Sequence, residues 1–112
     1  MYKALVRLML VGLLMTVSMA AHAQQRYLRV TNNTGFDIMF LHVSSSATGD
    51  WEEDVLGTNI LRKGNSFRIN LPGKGSPMYD VKAVDSDGDS YFRMGVNVDI
   101  EDVTLTLGDL ST

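Results

Sequence analysis

Residues 78–96 read MYDVKAVDSDGDSYFRMGV, and this stretch decides the fold class. Tyr79, Val81 and Ala83 alternate with Asp80 and Lys82, the two-residue period of a strand that turns one face to a core. Asp85 to Ser90 follows, with Asp87-Gly88 at its centre, a dipeptide suited to a tight hairpin connection. Tyr91 to Val96 then returns. The stretch therefore predicts an antiparallel hairpin.

The same signature recurs outward in both directions, in short β-branched and aromatic runs about a dozen residues apart with Gly, Asn, Asp or Pro between them. Tyr27 to Thr31 alternates and stops at Asn32-Asn33-Thr34-Gly35. Phe36 to Val43 is apolar on both faces, the pattern of a central strand. Ser66 to Leu71 places Phe67, Ile69 and Leu71 on one side and Arg68 and Asn70 on the other; residues 72–77 form a Gly- and Pro-rich loop; Val103 to Leu107 alternates apolar residues with threonine. About six to seven strands and no sustained helical stripe predict an all-β fold, a small antiparallel two-sheet β-sandwich. Ile38, Phe40, Phe67, Ile69, Val81, Phe92 and Leu105 are the expected core. In the irregular segment 44–65, Trp51 and Val55 stand four apart, so one helical turn ended by Gly57 would bring both to the core.

The N-terminus reads as an address. Lys3 and Arg7 precede an apolar run from Leu8 to Ala21, and Ala21-His22-Ala23 offers small residues where a signal peptidase requires them. Residues 1–23 are thus expected to be a cleaved signal peptide, leaving 24–112 as one domain. A membrane anchor is the alternative, but a span needs roughly 18 or more apolar residues. The mature chain is expected to lack a transmembrane segment and to reside in the periplasm or be secreted.

The whole chain has 10 basic and 13 acidic residues and no cysteine. Without Lys3 and Arg7, eight basic residues face the same 13 acids, a formal charge of −5. Such a balance argues against nucleic acid or anionic lipid as partner, since both require a basic face. Stability must come from packing, a metal or self-association, because disulfides are excluded.

Chemistry-bearing motifs are few. His42 is the only histidine after His22 and stands beside Ser44, Ser45 and Ser46, too little for a nucleophilic triad; a hydrogen-bonded histidine at the sheet rim is expected. There is no phosphate-binding glycine loop and no Cys/His set for zinc. Asp85, Asp87 and Asp89 have ligand-like spacing, since alternate carboxylates can turn toward one hard cation. An EF-hand is ruled out by glycine at the fourth loop position and Val96 at the twelfth. A rim-loop calcium site remains open if Asp50 or Asp54 reaches the same end, beside the plainer reading of a solvated Asp-Gly turn. Trp51 is either a packing residue or an exposed anchor for a partner.

Asn33-Thr34-Gly35 before an apolar strand, Trp51 with Asp54 and Leu56-Gly57, Leu61, Gly64, Tyr79-Asp80-Val81, Asp85 and Gly88 together resemble a family of short exported bacterial proteins built on one small β-sandwich. Glu52 departs from the small residue expected after the tryptophan, and the cysteines of some such proteins are absent. The resemblance implies a fold and a compartment and no reaction. The reading is a non-enzymatic exported module that presents loops or a strand edge to a protein partner. A calcium-binding structural domain using the 85–90 loop is the alternative, and a small hydrolase with a carboxylate pair the third.

Overall fold

The computed structural model describes residues 25–112, so the signal-peptide reading of residues 1–23 lies outside the described residues. Alternation drives each strand: in β1 (Arg26–Asn33) Leu28 and Val30 are fully buried while Tyr27 and Arg29 face solvent. There follow β2 (Ile38–Ser45), β3 (Ser66–Leu71), β4 (Met78–Asp85), β5 (Ser90–Asn97) and β6 (Val103–Thr106), then a single 3-10 turn over Leu107–Asp109. The strands form two three-stranded sheets, β3-β1-β6 and β2-β4-β5. The fold is all-β, with the core between the sheets. All pairs are antiparallel except β1 with β6, which run parallel from Val30↔Val103 to Asn33↔Thr106.

Three sequence expectations are corrected. The first is the central position of Phe36 to Val43. Its ordered part, β2, is an edge strand paired with β4 alone in its sheet, and its apolar outer side is covered by the segment 54–61. Ile38 and Leu61 exchange backbone hydrogen bonds of 2.9 and 3.0 Å, and the Val55 N–H donates to the Leu41 carbonyl at 2.8 Å.

The second concerns Phe40 and Phe92. Ile38 pairs with Asp85 but Phe40 with Val84, so β2 carries one extra residue at Met39. This bulge reverses the side-chain parity beyond it, because a one-residue slip sends every following side chain to the other face. Leu41 and Val43 therefore point inward, and Phe40 is 50% exposed. On β5 the inward residue is Tyr91, leaving Phe92 half-buried on the outer face. Ile38, Ile69, Val81 and Leu105 are buried as expected, and Phe67 packs half-buried against the core.

The third is the helical turn at Trp51–Val55, which does not form. The Asp54 carboxylate accepts from the Leu41 N–H at 2.8 Å and the Leu56 N–H at 3.0 Å, so the backbone there is bonded to β2 rather than to its own next turn. Leu56 enters the core and Trp51 does not.

Buried side-chain nitrogen and oxygen atoms all have hydrogen-bond partners among the described residues. Asn32, wholly buried at the end of β1, donates to the carbonyls of Phe36 (2.7 Å) and Leu61 (2.9 Å) and accepts from the N–H and hydroxyl of Thr34. One side chain thereby fastens two loops to the β1 end.

Candidate functional site

The hairpin between β4 and β5 is organised from inside by Asp85. It is 3% exposed; one carboxylate oxygen accepts from the N–H groups of Asp87 (2.9 Å) and Asp89 (3.0 Å), and the other accepts from the Tyr91 hydroxyl at 2.8 Å. Gly88, at φ +85°, closes the turn by donating to the Asp85 carbonyl at 3.0 Å. A glycine is required there because a Cβ disfavours positive φ. The Tyr91 phenol is pushed up to about 12, first by burial and then by its hydrogen bond to Asp85.

Oxygens of Asp85, Asp87 and Asp89 lie within 4.8 Å of one another, so this cluster could hold a metal ion. Asp87 and Asp89 are exposed, and Asp85 brings a carboxylate already engaged three times. Asp50 and Asp54 do not join it. Asp54 is held on the β2 edge as described, and Asp50 follows the far end of β2, where Ser45 pairs with Tyr79. Seven steps along the strand separate that end from Ile38 beside Asp85, roughly 23 Å at the rise of a strand.

The outer face of β2-β4-β5 carries the aromatic residues that the bulge and the β5 parity expel from the core. The register aligns Phe40 with Val84, and His42 with Lys82 and Phe92. Trp51, 38% exposed, reaches this face from the 46–54 loop; its ring centroid lies 6.2 Å from that of Phe92 at a tilt of 45°. The Lys82 ammonium sits 5.9 Å from the Phe92 ring centroid. The loop is tied down immediately after the tryptophan, at Glu52: its N–H donates to the Ser44 hydroxyl at 2.6 Å, and the His42 Nδ1–H donates to its carbonyl at 2.7 Å. Hydrogen bonding places the His42 proton on Nδ1, because a carbonyl can only accept.

Nothing in the sequence distinguishes Arg26 from the other cations. Its guanidinium grips the Asp99 carboxylate through two bonds of 3.0 and 3.2 Å and donates to the carbonyls of Pro72, Lys74 and Gly75. It closes one end of the sandwich. The adjoining depression, lined also by Ile100, Glu101 and Asp102, thus has its cation committed to structure.

No helix among the described residues is long and apolar enough to cross a membrane. Comparison with protein-family models, with curated proteins and with solved structures finds no match to this chain.

Proposed function

We propose that the protein is an exported, non-enzymatic binding module that engages a protein partner through the aromatic outer face of β2-β4-β5. The observation that carries this reading is Trp51, half-exposed against Phe92 on a loop hydrogen-bonded to β2 just after it, through Glu52 and Asp54. A large aromatic side chain held in place loses little conformational freedom on binding, which is why such residues dominate the energetics of interfaces. Phe40 extends the apolar surface, while Asp50, Glu52 and Glu53 supply an exposed polar rim. The periplasm or the extracellular space is the compartment that the N-terminal segment supports.

A photo-crosslinking residue at Phe40 tests the proposal in cells, with the same residue at Thr104 on the other sheet as control. One discrete adduct at Phe40, absent at Thr104 and lost with Trp51→Ala, is expected. Its identified partner must then bind the purified protein with the same dependence on Trp51. Equal adducts at both positions would remove the aromatic face from consideration.

The second reading, calcium held by Asp85, Asp87 and Asp89, rests on the convergence of their oxygens within 4.8 Å. Against it stands the prior engagement of Asp85 by two N–H groups and a phenol.

A further inference from the structure

Two sheets of three strands present four edges, and three of them carry bonds from other segments along part of their length. Leu61 and Val55 bond along β2; the Ser111 N–H donates to the Ser90 carbonyl at 2.8 Å while Leu110 bridges Tyr91, covering the start of β5. The short β6 has its Thr104 carbonyl capped by the Arg93 guanidinium at 3.3 Å. By contrast β3 is six residues long and, among the described residues, its backbone pairs with β1 alone. Alternate N–H and C=O groups of an edge strand point away from its neighbour, a ready template for another strand, and proteins usually blunt such edges.

Charge identifies what fits there. Residues 55–79 contain no Asp or Glu, yet they contain Arg62, Lys63, Arg68 and Lys74, half of the eight basic residues after residue 23. Arg62 and Lys63 precede β3, Lys74 follows it, and Arg68 lies exposed on its outer face with its guanidinium 4.0 Å from the Tyr27 ring centroid. Arg62 meets Asp37 at 3.4 Å in a solvent-exposed pair. Phe67 and Leu71 are only half-buried, so an added strand would cover apolar surface as well. A second copy of the chain is disfavoured, since antiparallel pairing of β3 with itself would set cation against cation.

We propose that β3 is a docking edge for an extended acidic segment of a partner protein, added as a fourth strand to β3-β1-β6. The inference rests on the reading of the protein as a protein-binding module but uses the sheet opposite Trp51, so each surface can fail without the other.

The test takes the exported protein, labelled for amide NMR, with a blocked ten-residue peptide of alternating Glu and Val and a matched peptide with Lys for Glu. The Glu peptide is expected to slow exchange of the outward β3 amides about tenfold, and raising salt from about 50 to 500 mM should weaken the effect. The Lys peptide should do neither. Arg68→Glu combined with Lys63→Glu should weaken Glu-peptide binding by about tenfold or more, with the folded amide spectrum and the Phe40 adduct retained. Equal protection by both peptides, or none at β3 at millimolar peptide, would overturn the proposal. Protection that grows with protein concentration in the absence of peptide would also overturn it, by assigning the edge to a second copy.

Discussion

Asp85→Ala tests whether the hairpin is held by its buried carboxylate. The substitution removes two hydrogen bonds from turn N–H groups and one from the Tyr91 hydroxyl. Asp87 and Asp89 are exposed, so their N–H groups regain water and each loss costs about 1 kcal/mol net. The tyrosine is 1% exposed, and its stranded hydroxyl adds about 1–3 kcal/mol. Removing one of three neighbouring carboxylates returns about 1 kcal/mol at water-like dielectric, leaving about 2–4 kcal/mol of destabilisation. For a domain of this size that is a fall of about 8–30 °C in melting temperature. Urea unfolding followed by Trp51 fluorescence and by circular dichroism gives the free energies directly. Tyr91→Phe should cost about 1–2 kcal/mol, and in that background Asp85→Ala should cost less by a similar amount, because both substitutions break one shared bond. Additivity within about 0.5 kcal/mol, or an Asp85→Ala cost below about 1 kcal/mol, would refute the assignment.

Alkaline unfolding should begin near Tyr91: with its folded value at about 12, above the ordinary 10, the unfolded chain loses the phenolic proton first. That contribution to stability is complete below pH 10 and disappears as the pH rises to about 12, and Tyr91→Phe should flatten the slope in denaturation across that window. Leu41→Ala should cost about 2–5 kcal/mol and Phe40→Ala less than about 1 kcal/mol, and equal costs in urea would mean that the β2 bulge is misplaced. Melting in calcium and in magnesium at matched ionic strength should coincide within about 2 °C if the 85–89 cluster serves only as a turn; a calcium-specific rise of about 5–10 °C, lost with Asp87→Asn, would instead establish the cation site.

Local chemistry determined much of this protein from the sequence by itself. A period of two, Asp-Gly at residues 87–88 and loops rich in Gly and Pro make an all-β chain legible, because strand alternation and turn conformation depend on neighbours a few residues away. The same locality makes the three aspartates visible as a cluster. What their oxygens are already bonded to is decided by Tyr91 and by turn N–H groups, which spacing alone does not orient. Tertiary structure decided the rest. The extra residue at Met39 turned Phe40 outward, a bond from Leu41 to Asp54 drew the 54–61 segment along β2, and the parallel β1-β6 pair joined segments some 70 residues apart. Each depends on which strand lies beside which, as does the isolation of β3. A cation-rich segment became an open edge only because β1 pairs with it on one side and nothing among the described residues pairs with it on the other.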